Sequence, residues 1–329
     1  MLDVHGLLFD VRGWPAVADE VMRDFLWFEA NGSRNGRVPI AVELQQGPPE
    51  WDGFGDLTAA FITPRNVVYQ DGDRTILDYF GRAVAVLDRA AGTIVIRGEY
   101  PHLVHEAAYL FLLSRIGEHL DASGLPRLHA LALAGPRGAI CVLLPSGGGK
   151  STLAVTALRD ERVRILAEDT PLIDARGFVH PFPLRIGVNP TDADRMPPGS
   201  VRRIERMEFH DKLVLDLDGF RDRVEAEPQP MADLVIGRRS LANQGRLERL
   251  PRRAAAGPLL REGVVGIGVY QGMEFVLQRG MRDVAGKAGE AAMRARCCAA
   301  AARHARVWRL TLGRDHASNW EALSRLLDA

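Results

Sequence analysis

The chain of 329 residues has no excess charge and few cysteines. Its 42 basic and 42 acidic residues cancel, which argues against a nucleic acid or an anionic membrane surface as the partner. The three cysteines, Cys141, Cys297 and Cys298, form no disulfide framework or metal-binding pattern and are expected to be core residues. The chain has no uncharged apolar run of about 18 residues and no signal-like N-terminus. We therefore expect a soluble, cytoplasmic protein.

Lysine is the scarcest charged residue. Only Lys150, Lys212 and Lys287 occur, and all the other cationic side chains counted among the basic residues are arginines. In a chain whose basic residues are nearly all arginine, a lysine indicates a position where a planar guanidinium does not fit. The narrow space between two phosphates is such a position, because the ammonium group is compact. The sequence around Lys150 predicts such a place.

The chain divides into two regions of different pattern. Residues 1–98 contain short β-branched runs separated by turn sequences, which predicts a smaller β-rich accessory domain. In residues 99–329 strands alternate with helices, which predicts an α/β nucleotide-binding domain. Here we expect strands at 128–134, 139–144, 163–167, 171–173, 213–217, 234–236, 264–269 and 307–312, helices at 103–120, from 150, at 286–305 and from 318, and an exposed loop at 243–258.

The second region contains a phosphate-binding sequence. An apolar strand ends at Pro145, and the residues that follow are Ser146, Gly147, Gly148, Gly149, Lys150, Ser151 and Thr152. Such a P-loop needs small residues that let backbone N–H groups surround an anion, and a helix that begins at the phosphates. Lys150 would reach the β- and γ-phosphates of ATP, and the Ser151 hydroxyl would join the shell of Mg²⁺. The pattern departs from the usual P-loop only at its start, where Leu144 replaces the first glycine.

An acidic pair, Glu168 and Asp169, follows the first strand after the P-loop helix. The carboxyl ends of the strands in an open parallel sheet line one crevice, so both carboxylates are expected beside the nucleotide. Carboxylates in that position hold Mg²⁺ and orient or deprotonate the acceptor hydroxyl. The sequence does not decide which of the two does which.

Together these motifs resemble a known family. His129 precedes the P-loop lysine by 21 positions, a strand–turn–strand leads into the P-loop, and Ala167-Glu168-Asp169 comes after its helix. Over residues 128–188 the chain resembles HPr serine kinase/phosphorylase, whose fold is that of phosphoenolpyruvate carboxykinase. It looks closer to divergent relatives in peptide modification, including those that phosphorylate the C-terminal serine of lasso peptides; residues 124–129 and Tyr270-Gln271-Gly272 carry this finer resemblance.

The resemblance implies roles for individual residues. Glu168 and Asp169 would share metal binding and activation of the acceptor, and His129 would orient or neutralise one of them. Arg185 occupies the place of the arginine in the family's Glu-x-Arg-Gly segment and would bind a phosphate. Pro183 stands where that segment has its glutamate, so we expect neither phosphorylase activity nor HPr as the substrate.

The sequence therefore predicts an enzyme that transfers the γ-phosphate of ATP, with Mg²⁺, to a hydroxyl group. The expected acceptor is a serine of a peptide or protein, such as a lasso peptide. Two alternatives stay open: a kinase of a small metabolite (an amino acid or a sugar), and a P-loop protein that uses nucleotide as a switch or scaffold. The choice between ATP and GTP, and whether the protein forms an oligomer, are also open.

Overall fold

A computed structural model describes residues 1–30, 37–145, 147–194, 196–206, 211–265 and 281–328. The chain forms two compact units, Met1–His119 with Arg203–Lys212, and Leu120–Arg202 with Leu213–Ala329. The sequence analysis divided the chain at residue 98, whereas the first unit extends to residue 119 and takes in a later segment. Within the parts described, no helix is long and apolar enough to cross a membrane.

The first unit contains one sheet of eight strands in the order β1-β2-β3-β8-β7-β6-β5-β4. The strands are β1 (Leu2–Val4), β2 (Leu7–Gly13), β3 (Ile40–Gln46), β4 (Phe61–Ile62), β5 (Val67–Asp71), β6 (Arg74–Asp78), β7 (Ala83–Asp88) and β8 (Thr93–Gly98). β2, β3 and β8 run parallel to one another, and the other neighbours are antiparallel. The region is rich in strands, as predicted.

Two helices accompany this sheet, α1 (Pro15–Asp24) and α2 (Pro101–Ala122). α1 lies in the connection between β2 and β3, because parallel neighbours need a crossover. The ring of Tyr109 in α2 packs on that of Phe25 with centroids 5.5 Å apart, and His105 Nε2 lies 2.9 Å from the buried Asp24 Oδ2. These buried contacts between α1 and α2 explain why most of the second helix belongs to the first unit rather than to the second.

The second unit is a mixed α/β structure with an eight-stranded sheet and a three-stranded sheet. Its strands are β9 (Leu131–Gly135), β10 (Gly138–Leu143), β11 (Arg164–Ala167), β12 (Leu172–Ile173), β13 (Phe178–His180), β14 (Ile186–Val188), β15 (Val201–Ile204), β16 (Lys212–Leu215), β17 (Gln229–Arg239), β18 (Arg246–Leu250) and β19 (Arg306–Leu312). Its helices are α3 (Lys150–Ala157), α4 (Pro190–Ala193), α5 (Ala256–Leu259), α6 (Met281–His304) and α7 (His316–Ser324), and Leu260–Val265 forms a π-helical segment. β14, β16 and β15 make the small sheet.

Strand direction in the large sheet brings several loops to one edge. β10, β17 and β19 are parallel. β9 is antiparallel to β10, with which it forms a hairpin, and β11 is antiparallel to β9. β11 therefore runs in the same direction as β10. The carboxyl ends of these four strands lie at the same edge, which is the usual ligand-binding edge of an open α/β sheet.

Helices cover both faces of this sheet. Cys297 and Ala301 of α6 share one buried cluster with Ala132 of β9 and Cys141 of β10, and these small side chains permit close packing. All three cysteines are buried free thiols, as predicted. Neighbouring residues of a strand point to opposite faces. On the face away from α6, Leu327 approaches Gly135 of β9, and α3 packs against β9, β11 and α7.

Three elements differ from the sequence-based expectations. The segment expected to be an exposed loop contains β18, which pairs with β19 and stacks its Arg249 guanidinium 4.8 Å above the Trp308 ring. The last helix begins at His316, because the Asp315 side chain caps it by accepting from the Ala317 N–H. Val264 lies in the π-helical segment rather than in a strand, and the remainder of the strand expected at 264–269 falls mostly outside the described residues.

Candidate active site

The P-loop follows β10 and leads directly into α3. Gly147 and Gly149 have φ values of 70° and 108°, which residues with a side chain rarely adopt. At Gly148 the constraint is space, since a Cβ would lie 2.7 Å from the Pro145 carbonyl oxygen, which accepts from the Gly148 N–H. Each of the three glycines is thus required by the shape of the loop. Ser146 lies outside the described residues.

Leu144, the departure from the usual P-loop pattern, has a packing explanation. Its side chain is buried and fills the space above Gly237 of β17, where a Cβ would lie 2.3 Å from Leu144 Cδ2. The Leu144 side chain therefore occupies the space that a side chain at position 237 would need. The Leu144 carbonyl is still used by the loop, because it accepts a hydrogen bond of 2.9 Å from Lys150 Nζ.

Lys150 begins α3 and is held in a polar cluster. Its side chain is only 6 % exposed. Besides the bond to Leu144, its Nζ lies 2.6 Å from His129 Nε2 and 3.4 Å from Asp169 Oδ1. A buried ammonium is stable only when several acceptors surround it. The structure thus brings together three of the four residues that the sequence analysis named as catalytic.

His129 is the centre of this cluster. Its Nε2 lies 3.2 Å from Asp169 Oδ1, and its Nδ1 lies 2.6 Å from Glu262 Oε2. The backbone reinforces both contacts, since the His129 N–H donates to the Glu262 carbonyl and the Ala130 N–H donates to the Asp169 carbonyl. His129 is 13 % exposed and Glu262 8 %, whereas Asp169 is 48 % exposed. Of the two carboxylates that contact His129, that of Asp169 is the one open to an incoming group.

The charges of the cluster shift the pKa values of its members. Burial lowers the pKa of His129, but Asp169, which accepts a hydrogen bond from the ring when it is protonated and attracts its charge, and Glu262 raise it above its usual value despite the opposing charge of Lys150. Burial raises the pKa of Asp169, but the adjacent His129 ring and the charge of Lys150 lower it on balance. Asp169 is therefore ionised at neutral pH and acts as a hydrogen-bond acceptor.

The other member of the acidic pair has a different partner. Glu168 Oε1 accepts a 2.7 Å hydrogen bond from Ser151 Oγ, and Thr152 Oγ1 accepts one of 3.2 Å from Asn189 Nδ2. In the part of the chain described, no group of three or more His, Cys, Asp or Glu side chains is arranged to hold a metal ion. Mg²⁺ in nucleotide sites needs less, because phosphates and waters complete its shell beside one or two carboxylates. Ser151 and Glu168 fit that requirement.

Two arginines lie near the P-loop helix. Arg185 immediately precedes β14, which packs against α3. Arg239 ends β17, and its guanidinium approaches the loop so closely that a Cβ on Gly149 would lie 3.4 Å from Arg239 Nη1. The neighbouring Arg238 instead donates to Thr311 Oγ1 at 3.0 Å. Arg239 is therefore a cation beside the phosphate loop.

Glu262 is the principal residue that sequence analysis missed. It belongs to no recognisable motif, and it lies in the segment Leu260–Val265, where the sequence favoured the start of a strand. The fold alone brings it to His129. The chain matches no protein-family model, and a search of curated proteins finds no match.

Proposed function

We propose that this protein is a kinase that uses Mg²⁺ and ATP to phosphorylate a hydroxyl group, with a serine of a peptide or protein as the acceptor. The observation that carries the proposal is the cluster formed by Lys150, His129 and Asp169 at the start of α3. It combines a buried cation, a P-loop and one exposed carboxylate at the carboxyl edge of a sheet. That combination suits phosphoryl transfer better than passive nucleotide binding.

The loop and Lys150 bind the phosphates in this proposal. Gly149, the N-cap of α3, has no side chain to cap the helix, so the first N–H groups of α3 are free to bind an anion in the loop. Lys150 adds a full positive charge at the same place. Arg185 and Arg239 are suited to neutralise further phosphate charge from the sides of the loop.

Ser151 and Glu168 would hold Mg²⁺. The hydroxyl and the carboxylate already lie 2.7 Å apart, and both oxygens are of the type that this ion prefers. When bound, ATP supplies the phosphoryl group and Mg²⁺ offsets its negative charge. The two residues fix where that charge is placed relative to Lys150.

Asp169 would orient the acceptor. Its carboxylate is exposed and ionised, so it can accept a hydrogen bond from the acceptor hydroxyl and take its proton as the O–P bond to the acceptor forms and the O–P bond to the departing ADP breaks. Lys150 Nζ lies 3.4 Å from one Asp169 oxygen, and His129 Nε2 lies 3.2 Å from the same oxygen. In this proposal Glu168 binds the metal and Asp169 activates the acceptor, whereas the sequence alone left these two roles unassigned.

The same site supports the proposal of an HPr kinase-like core with the fold of phosphoenolpyruvate carboxykinase. The supporting features are the β9–β10 hairpin before the P-loop, the position of His129 beside the P-loop lysine, and the acidic pair after β11. Tyr270-Gln271-Gly272, which carries part of the resemblance to lasso-peptide kinases, lies outside the described residues. The choice of a peptide acceptor therefore depends on the resemblance.

The test is a transfer assay with γ-labelled ATP and Mg²⁺. The acceptors are peptides with a C-terminal or an internal serine, free serine, a sugar and water. Label on a peptide that is lost in both Lys150→Ala and Asp169→Asn supports the proposal. Label on free serine or the sugar would favour the small-metabolite kinase. Tight binding of ATP without transfer to any acceptor would favour the nucleotide switch.

A further inference from the structure

Glu262 contacts His129 through both its side chain and its backbone carbonyl. Glu262 Oε2 lies 2.6 Å from His129 Nδ1, and the Glu262 carbonyl accepts a 3.0 Å bond from the His129 N–H. The second carboxylate oxygen, Oε1, accepts a 2.7 Å bond from Arg261 Nε. The carboxylate is thus held on both sides, and its position relative to the imidazole ring is fixed.

A histidine paired with a carboxylate is often only a structural contact, and the described residues contain other buried or partly buried pairs of this kind. His105 pairs with Asp24, and His180 pairs with Asp174 at 3.2 Å. What distinguishes His129 is its second nitrogen. Nε2 faces Lys150 Nζ at 2.6 Å and Asp169 Oδ1 at 3.2 Å. An acceptor on Nδ1 therefore controls what the ring presents to the P-loop lysine.

We propose that Glu262 is a positioning residue for the transfer site, acting through His129. Its carboxylate accepts a hydrogen bond from Nδ1–H, which favours the tautomer whose Nε2 lone pair is directed at Lys150. This inference rests on the proposed kinase function, and it adds to the site a residue from the π-helical segment Leu260–Val265. Short π-helical segments often occur at functional sites, because they place one side chain out of the regular helical series.

The placement has a consequence for Asp169. With Nε2 available as an acceptor, Lys150 lies closer to His129 than to Asp169, at 2.6 Å against 3.4 Å. Asp169 therefore keeps accepting capacity for the hydroxyl that is to be phosphorylated. With the other tautomer, an N–H on Nε2 would oppose the Lys150 ammonium and drive it toward Asp169. Glu262 is thus expected to affect turnover rather than nucleotide binding.

The experiment compares Glu262→Ala with the conservative Glu262→Gln in the full chain. The ¹⁵N shifts of the imidazole, assigned with His129→Asn, report which ring nitrogen carries the proton. Calorimetry gives the affinity for ATP, and the labelled-transfer assay gives kcat and KM. We expect Glu262→Ala to lose the Nδ1–H tautomer and to lower kcat about 10- to 100-fold, as when the outer partner of a functional histidine is removed. The Kd for ATP should change less than about twofold, and Glu262→Gln, which keeps an acceptor, should recover most of kcat.

Asp174→Asn is the matched control, because it makes the same carboxylate-to-amide change beside His180. It should alter the signals of His180 and leave those of His129 and kcat unchanged. An unchanged tautomer and kcat in Glu262→Ala would overturn the proposal, and so would a parallel loss of kcat, ATP affinity and Tm. Should the wild type transfer no phosphate at all, the kinase function fails, and the imidazole spectra alone still decide whether Glu262 positions His129.

Discussion

Lys150 Nζ and His129 Nε2 lie 2.6 Å apart, a distance at which the two nitrogens must share one proton. If both were fully protonated they would oppose N–H to N–H, so one of them accepts. An alkylammonium holds its proton more strongly than an imidazolium does, and His129 has Glu262 as acceptor at its other nitrogen. Lys150 is therefore the donor, and the imidazole orients the ammonium for a ligand in the loop.

This arrangement predicts that arginine cannot replace Lys150. The ammonium occupies a buried space bounded by the Leu144 carbonyl and His129, and a planar guanidinium is larger and directs its donors differently. We expect Lys150→Arg to weaken ATP binding by about 2 kcal/mol, the value of a hydrogen bond to a charged group. Calorimetry with a non-hydrolysable ATP analogue measures the change. The control is Lys212→Arg, an exposed lysine whose replacement should leave the Kd unaltered. Equal affinity of Lys150→Arg and the wild type would contradict this account.

Asp169 should be needed for transfer but not for binding. Asp169→Asn keeps the shape of the side chain and removes its capacity to take a proton. We expect kcat to fall roughly 100- to 1000-fold, which is the contribution of a positioned general base. The affinity for ATP should not fall, because the substitution removes a negative charge that repels the phosphates. Steady-state kinetics and calorimetry separate the two effects. In a double-mutant cycle with Lys150→Ala the two losses should be far from additive. Additive losses would show that the two residues act independently.

Ser151 should determine the requirement for Mg²⁺. Ser151→Ala removes the hydroxyl that bonds to Glu168 and would contact the ion. The Mg²⁺ concentration for half-maximal activity should rise about tenfold, whereas Ser151→Thr, which keeps the hydroxyl, should resemble the wild type. Activity is titrated against Mg²⁺ at saturating ATP for all three proteins. A loss in Ser151→Ala that no Mg²⁺ concentration restores would point to a role for the hydroxyl other than metal binding.

The parts of the site that sequence analysis located are those encoded locally. The P-loop is specified by three adjacent glycines and a lysine, and the acidic pair by its place after an apolar strand. His129 was located only through its resemblance to a family pattern, because a histidine in an apolar segment has no meaning by itself. The structure brings His129 to Lys150 because β9 and β10 form a hairpin, so a residue just before β9 lies beside the start of α3.

Other features depend on tertiary contacts that no local pattern carries. Glu262 is 133 positions from His129, and only the packing of the sheet brings them together. β18 is rich in arginine and resembles a solvated loop, yet it pairs with β19 at the edge of the sheet. The N-cap of α7 is Asp315 rather than Ser318, where the helix was expected to begin, since Ser318 Oγ accepts a hydrogen bond from the N–H of Gly245. In each case a partner distant in sequence overrides the local preference.

Arg239 should contribute to nucleotide affinity, and its neighbour should not. Arg239 approaches the P-loop at Gly149, whereas Arg238 is held by Thr311. We expect Arg239→Gln to raise the Kd for ATP about fivefold at low salt, and less at high salt because the guanidinium is exposed and screened. Arg238→Gln is the matched control and should bind as the wild type does. Equal effects of the two substitutions would indicate a general loss of positive charge rather than a contact with phosphate.

Asp160, just beyond the P-loop helix, should make the free energy of unfolding of the protein depend on pH. Its carboxylate, just beyond α3, accepts bonds from Arg162 Nε and Nη2 at 2.9 Å and 2.7 Å and from Trp320 Nε1 of α7 at 3.1 Å. The bond to Arg162 is the main reason that the pKa of Asp160 is lowered to about 2. A carboxyl whose pKa is lower in the folded state stabilises the protein above its unfolded pKa of about 4 and loses that effect as the pH falls toward about 2.

Asp160→Asn should accordingly lower the free energy of unfolding by about 1 kcal/mol at pH 7, a modest value because Arg162 is half exposed. The deficit should shrink as the pH falls below about 4. Urea unfolding at pH 7 and at the lowest pH where the protein stays folded measures both values. Asp328→Asn, which removes an exposed carboxylate 2.8 Å from Arg162 Nη1, is the control and should change little. A deficit that stays constant with pH would mean that Asp160 acts through shape and hydrogen bonding, and not through its charge.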